Sequence, residues 1–437
     1  MARKMKDSGI EWIGEIPEGW EITRLKYLAD FEPTCDTSYL TDESKITYTP
    51  MECVKNGGFE NRSALYGNLS HTLTPFQNGD IAMAKVTPCF ENGNIAIMDN
   101  LFSGFGLGSS ELFIFRPKSI STRYFFYWLQ NKAFVARACS TMTGTGGLKR
   151  ISPSFIRNCP VHCPSTDEQT KISDYLDAKC SKIDDLLTSV HASIEEYKKL
   201  KQTVITQAVT KGVRGEREMK PTDFTRWSEI PFDWDLKRVK SCIASISSGL
   251  SAVTDDANSE ESGKFVLRTS AVSSGFFVPT EVKPVLKSAV NRLICPVEPD
   301  TLIVSRMNTT SMVGACAYVA NNHPTTFLPD KLWKIKFLPS YHTKYMWYAL
   351  NSVPAKSWFS ELATGASSSM QNISINDFTS NYLPIPAFSE QKEIANYLDA
   401  KCAEIDGLIA KKEQLVKELE GYKKSLIYEV VTGKREV

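Results

Sequence analysis

Lys85–Val86–Thr87–Pro88–Cys89–Phe90–Glu91–Asn92–Gly93–Asn94 crowds hydrogen-bond donors and acceptors into one turn beside an expected strand. A second such segment is Ser305–Arg306–Met307–Asn308–Thr309–Thr310. Arg and Lys can bond guanine edges, and Asn and Gln can bond adenine edges. Lys149, Arg150 and Arg157 flank a glycine-rich stretch, Thr143–Gly144–Thr145–Gly146–Gly147. Gln371 and Asn372 flank its counterpart, Thr364–Gly365–Ala366–Ser367–Ser368–Ser369. Hydroxyls and backbone amides in such loops can position phosphates. Taken singly, each of these residues is a solvated turn. Their recurrence at matched places in both halves of the chain makes them candidates for nucleic-acid contact. The first half offers Lys85, Thr87, Asn92, Thr145, Lys149 and Arg150, and the second Arg306, Thr309, Ser368, Gln371 and Asn372.

Catalytic equipment is not legible beside them. No G-x-x-x-x-G-K-[ST] phosphate loop occurs, and Gly433–Lys434 has no glycine five residues earlier. Gly104–Phe105–Gly106–Leu107–Gly108 resembles a nucleotide or S-adenosylmethionine loop, but it leads into Glu111–Phe115, which reads as strand where a helix is required. No Asn-Pro-Pro-aromatic tetrad is present, and Asp330 lacks the downstream acid-x-Lys of a divalent-metal nuclease. Cys159, His162 and Cys163 form the tightest group of metal-ligand types, yet a fourth ligand is missing and packed, inert side chains are the simpler reading. We expect a non-enzymatic chain with no catalytic residue, no metal and no cofactor of its own.

The elements that would position these turns occur twice. Between residues 168 and 184, 11 of 17 positions match those at 390–406 without a gap. Glu168–Gln169 returns as Glu390–Gln391, and Asp177–Ala178–Lys179–Cys180 as Asp399–Ala400–Lys401–Cys402. Earlier, Glu15–Ile16–Pro17 and Trp20 return as Glu229–Ile230–Pro231 and Trp234. A period above 200 residues is too long for a solenoid and signals a duplicated domain with its own helix. Short strands are expected at Ile81–Ala84, Glu111–Phe115 and Thr301–Val304, and buried helices at Tyr124–Leu129 and Tyr345–Leu350.

Each half then enters a long helix, with Asp167 and Ser389 at the expected N-cap positions. Leu176, Ile183, Leu187 and Ile194 fall on a heptad seam in the first, and Leu398, Ile405, Ile409 and Val416 in the second. Lys201 and Lys423 interrupt both seams at the same place, and Gly212 and Gly433 follow the helix ends. About 45 residues make a rod of roughly 65–70 Å. The expected fold is α+β, with two similar recognition domains at residues 1–164 and 214–387. Helical spacers at 165–213 and 388–437 separate them and pair as an antiparallel coiled coil.

The bulk numbers agree. The 437 residues are 42% hydrophobic and 23% charged, as in soluble globular chains, and no apolar run is long enough to span a bilayer. The start, Met1–Ser8, has no apolar core like that of a signal peptide, and eleven scattered cysteines suit a reducing cytoplasm. A net charge of +1 excludes a uniformly basic coat but not a local basic face.

Trp12–Ile13–Gly14–Glu15–Ile16–Pro17–Glu18–Gly19–Trp20, Gly79–Asp80–Ile81, Thr87–Pro88–Cys89–Phe90–Glu91–Asn92–Gly93, and the Glu–Gln pair entering each helix together resemble the specificity subunits of type I restriction–modification systems. The resemblance covers essentially the whole chain. Ser228 and Phe232–Asp233 depart from the first Trp segment, which has Gly14 and Glu18–Gly19 there. The resemblance implies that each recognition domain reads one half of a split double-stranded DNA site. It also implies helices that hold the domains apart and dock two methyltransferase subunits, through which translocase–nuclease subunits join. S-adenosylmethionine, ATP and Mg are implied on those partners. Without the resemblance, a coiled-coil adaptor with protein-binding ends is the alternative, and a solitary methyltransferase or nuclease is disfavoured by the missing motifs.

Overall fold

The computed structural model describes residues 3–55, 57–70, 72–144, 147–251, 261–367 and 370–437. The chain divides into two compact units, Met1–His191 with Glu413–Val437, and Ala192–Lys412. Each unit holds the start of one long helix and the end of the other.

In the first unit, Asp80–Ala84 follows the turn at Gly79, whose φ of +85° suits glycine. This strand pairs with Ile95–Met98 on one side and Leu112–Pro117 on the other, and Ala29–Phe31 completes a four-stranded sheet. Every residue of Asp80–Ala84 is buried, so both faces are covered. Alternation sorts the faces. Ile81, Met83, Phe113 and Phe115 enter a core with helix Thr122–Leu129, whose Tyr124–Leu129 are all buried. Ala82, Ala96 and Ile114 enter a second core with Phe76. A second sheet runs Arg62–Leu65, Lys45–Thr49, Phe105–Gly108 and Thr74–Gln77. Its central pair, Lys45–Thr49 with Phe105–Gly108, is parallel.

The glycine-rich segment at 104–108 is therefore a strand. A Cβ on Gly106 would lie 2.2 Å from the Phe76 ring, so the glycine admits an aromatic ring rather than a phosphate.

The second unit repeats this plan with other side chains. Thr301–Ser305 is buried throughout and lies between Cys316–Val319 and Leu332–Phe337, with Ile243–Ser248 at the edge. Its second sheet runs Val282–Leu286, Glu261–Leu267, His323–Phe327 and Pro296–Val297, again with a parallel central pair. Helix Thr343–Leu350 takes the place of Thr122–Leu129. The stretch expected as a second glycine loop is instead a strand, Thr364–Ser367, paired with Met370–Asn372.

The long helices span Thr166–Lys211 and Phe388–Val431. Both begin before the expected N-caps. Ser165 lies within 3.4 Å of the Glu168 amide, and the Ala387 carbonyl accepts from the Glu390 and Gln391 amides. Asp167 thus sits inside the first turn, where its charge suits the helix dipole, and Ser389 also lies inside its helix. Gly212 and Gly433 adopt φ of +78° and +69° just past the ends.

The repeated residues at the helix starts pin each helix to its own sheets. The Trp20 indole N–H donates to Glu168 at 2.9 Å, and Trp234 donates to Glu390 at 3.2 Å. Arg3 and Arg217 reach the same two carboxylates, each at 2.5 Å, and each guanidinium lies over its tryptophan. Gln169 accepts from the Ser121 amide at 2.7 Å and Gln391 from the His342 amide at 2.8 Å. Tyr127 donates to Asp177 at 2.6 Å and Tyr348 to Asp399 at 2.9 Å. The strongest repeat in the sequence is thus a set of anchors.

Among the seam residues, Leu176, Ile183, Ile194, Leu398, Ile405 and Val416 are buried, and Leu187 and Ile409 are half-buried. The seam is not purely interhelical. Leu176 and Ile183 share a core with Trp20, Phe125, Leu426 and Val430, and Leu398 shares one with Trp234, Tyr345, Ile205 and Val209. A helix end resting on a sheet needs the same apolar stripe as one resting on a helix, so periodicity alone does not separate the two.

Candidate nucleic-acid interface

In the first unit the chain leaves the central strand at Ala84 and runs on through Lys85–Thr87. Val86 and Thr143 both bridge to Arg150. The Lys85 amide donates to the Glu111 carbonyl and the Ile151 amide to the Lys85 carbonyl, both at 3.0 Å. Thr87 donates its amide to the Lys149 carbonyl at 3.0 Å. Its hydroxyl accepts from the Lys149 amide at 2.9 Å and donates to the Gly147 carbonyl at 3.0 Å. Residues more than 60 positions apart are thus brought side by side.

The side chains there differ in availability. Lys149 is exposed. Arg150 is committed: Nε and Nη2 form a fork onto Glu111 at 3.0 and 2.5 Å, and this holds the Glu111 carboxyl below its ordinary range. Lys85 is half-buried, its Nζ 5.4 Å from the centre of the Phe113 ring. Thr87 spends its hydroxyl on holding the loop. Asn92 points elsewhere, lining a cleft of about 480 Å³ with Lys132, Asp184 and Lys423. Thr145 lies outside the described residues.

The second unit builds the same place with different chemistry. Met307–Asn308, Met370–Asn372 and Thr364–Ser367 form a three-stranded sheet in that order. Met307 faces Asn372 and Asn308 faces Gln371 in register. The Arg306 amide donates to the Lys331 carbonyl at 3.2 Å, and the Ile373 amide donates to the Arg306 carbonyl at 3.0 Å. These are the two bonds made by Lys85 in the first unit. They equate Lys85 with Arg306, Glu111 with Lys331, and Arg150 with Asn372. Thr309 caps a local turn: its amide donates to the Asn308 side chain at 2.9 Å, and the Met312 and Val313 amides donate to its carbonyl. Arg306 Nε and Asn372 Oδ1 are buried without a hydrogen-bond partner. Ser368 lies outside the described residues.

Glu111 and Lys331 were not among the sequence candidates. They directly precede the strands Leu112–Pro117 and Leu332–Phe337, and no pattern in one dimension places them across from the turns. Two further polar contacts were signalled only as interruptions of the seam. Lys423 Nζ meets both carboxylate oxygens of Asp184 at 2.7 Å, and Lys201 Nζ meets those of Asp406 at 2.6 and 2.7 Å.

The Cys159–His162–Cys163 group lies in the first core. His162 stacks on Trp20 and its Nε2 lies 2.7 Å from the Val431 carbonyl, to which it donates in its neutral form. Burial pushes its pKa down to about 4 and the Cys159 thiol up to about 12. Among the described residues, no group of three or more His, Cys, Asp or Glu is placed to hold a metal ion, and no helix is long and apolar enough to cross a membrane.

A family model described as the type I restriction modification DNA specificity domain matches residues 17–196. The chain is 25% identical over 467 residues to the type I restriction enzyme EcoEI specificity subunit of Escherichia coli, covering 88% of this chain and 78% of that one. It is 34% identical over 196 residues to the EcoAI specificity subunit of the same organism, covering 44% and 33%. A chain solved in a study of complex assembly and conformational transition of the type I R-M system superposes with a TM-score of 0.70 at 15% identity. That superposition covers 96% of this chain and 99% of the other, and it speaks for the fold alone.

Proposed function

We propose that this chain, which belongs to the specificity-subunit family of type I restriction–modification systems, reads a split double-stranded DNA site, one half with each unit. The observation that carries this reading is the twinned polar site. Two units with one scaffold present different side chains at places matched by the same backbone bonds, Lys85, Arg150 and Glu111 in one and Arg306, Asn372 and Lys331 in the other. A duplicated scaffold whose anchors are retained and whose outer residues have diverged suits two different half-sites.

In this reading the chain is not itself an enzyme and needs no cofactor. Adenine methylation, ATP-driven translocation and cleavage belong to two methyltransferase subunits and to translocase–nuclease subunits joined through them, which carry S-adenosylmethionine, ATP and Mg. The complex works in the cytoplasm. The two long helices form an antiparallel coiled coil that sets the gap between half-sites and docks the methyltransferase subunits. The paired charges support that pairing: from Asp184 to Lys201 the first helix advances 17 residues, while from Lys423 to Asp406 the second retreats 17. Both bridges obey one antiparallel register.

The test is binding of the assembled methyltransferase complex to duplexes carrying the split site mapped from methylated adenines in cells. At several salt concentrations, affinity for the split site should exceed that for either half alone or for scrambled DNA by about 10³-fold or more. Equal binding to all duplexes, or none, would turn the reading toward a protein-binding adaptor.

A further inference from the structure

The two recognition sites differ in how their arginines are neutralised. In the first unit Arg150 is held by Glu111. In the second, the position equivalent to Glu111 is Lys331, and Arg306 has no ion pair or hydrogen bond from its guanidinium among the described residues. Arg306 is nevertheless half-buried, its Nε is closed to solvent, and its backbone, at the bend between Thr301–Ser305 and Met307–Asn308, is fixed on both sides by bonds to Lys331 and Ile373. An N–H kept from water without an acceptor is costly, and a native structure that retains one calls for an explanation such as an absent ligand. With Nε closed off, the outward face is the terminal fork of Nη1 and Nη2. Two parallel donors on a backbone held at both ends match two acceptors side by side, which among base edges is guanine O6 and N7 in the major groove. Lys331 adds a second positively charged residue next to the site, so a donor-rich edge of the base pair is not the fitting partner.

We propose that Arg306 reads a guanine in the half-site recognised by the second unit. This rests on the DNA-reading function above and names the base it selects. Lys331 takes part as well, because it stands where the first unit has the carboxylate of Glu111 and so offers Arg306 no acceptor. In the first unit the same position is Lys85, which has no guanidinium fork.

The test uses the chain assembled with its methyltransferase subunits and duplexes containing the mapped site. Each guanine of the second half-site is replaced in turn by adenine and by 7-deazaguanine, which lacks N7. At one guanine, both replacements should weaken wild-type binding, adenine by roughly 5- to 150-fold. Arg306→Lys keeps the charge but loses the fork, and should erase most of that preference while leaving the first half-site unchanged. Lys331→Glu supplies a carboxylate at the place of Glu111 and should do the same by capturing Arg306. If Arg306→Lys is neutral, or if Arg306→Ala weakens all duplexes equally with a flatter salt slope, Arg306 holds a phosphate and the inference fails while DNA reading stands. A second half-site without guanine would also overturn it. Loss of all split-site preference in the wild type would instead reject the reading on which it rests.

Discussion

The two units agree where each helix meets its sheet and disagree where the strands end. Trp20, Glu168, Gln169 and Asp177 in the first unit are matched contact for contact by Trp234, Glu390, Gln391 and Asp399 in the second. At the strand ends, the first unit has a Glu111–Arg150 pair and the second has Lys331 and Asn372 at the same positions. The helix starts are under a packing constraint that admits one solution. The strand ends carry exposed or half-buried polar side chains, which core packing constrains less. A duplicated scaffold can therefore keep its anchors while its two readers drift to separate targets.

Several substitutions break or sharpen this contrast. The largest effect is expected at the anchors. The Glu390 carboxylate is 1% exposed and serves Trp234, Arg217 and Arg214, whereas that of Glu168 is 26% exposed and serves Trp20 and Arg3. Glu390→Ala should cost about 2–3 kcal/mol, because a buried indole N–H loses its partner and the half-buried Arg217 is left with Asp233 alone. Glu168→Ala should cost about 1–2 kcal/mol. Hydrogen exchange at the two helix starts reads each separately, and equal protection loss would remove the distinction.

Acid should separate the units next. His162 is fully buried and its pKa is depressed to about 4, while the equivalent position in the second unit is Pro384. Between about pH 6.5 and 4 the unfolded chain binds a proton that the folded unit refuses. Stability present above pH 6.5 is thus lost as pH falls, by up to about 1.4 kcal/mol per pH unit. His342 in the second unit is also lowered by burial, so the clean comparison is His162→Gln against wild type. Unfolding of the first unit between pH 6.5 and 5 should lose pH dependence in that variant; an unchanged slope would show that His162 does not titrate there.

How much of this was legible in one dimension follows the same division. Duplication, the central strands, the buried aromatic helices and both long helices were readable because burial imposes period and spacing on Asp80–Ala84 and Leu176–Ala208 alike. The roles of Glu168 and Gln169 were not, because a polar residue repeated at a helix start looks the same whether it caps, pairs or binds. The recognition candidates were located only coarsely. Lys85 with Lys149 and Arg150, and Arg306 with Gln371 and Asn372, do come together through strand pairing, while Asn92 turns toward the helices. The acid partner of Arg150, Glu111, lies 39 residues away, and no pattern in the sequence pairs the two.

Smaller effects test the polar interruptions and the first reader. Asp184 and Asp406 are half exposed, but Lys201 and Lys423 are mostly buried, and Lys201 also lies 4.5 Å from the Phe276 ring centre. Asp406→Ala should therefore cost about 1 kcal/mol, while Lys201→Met should be close to neutral, since removing the buried charge removes its need for a partner. Thermal unfolding of the two variants decides this, and the reverse order would mean that the aspartate is the strained member. Glu111→Ala should release Arg150 and steepen the salt dependence of DNA binding by about one unit of slope, without changing the letters of the second half-site. An unchanged slope would place Arg150 away from the DNA.

The most direct test of two separate readers joined by a rod is to lengthen the rod. Four residues inserted in each long helix, after Val190 and after Val416, add about 6 Å and one further turn. Methylated adenines would then be mapped in cells carrying the cognate methyltransferase subunit. The account predicts that both half-site sequences persist while the gap between them grows by one or two base pairs, at about 3.4 Å each. New half-site letters across an unchanged gap would contradict it.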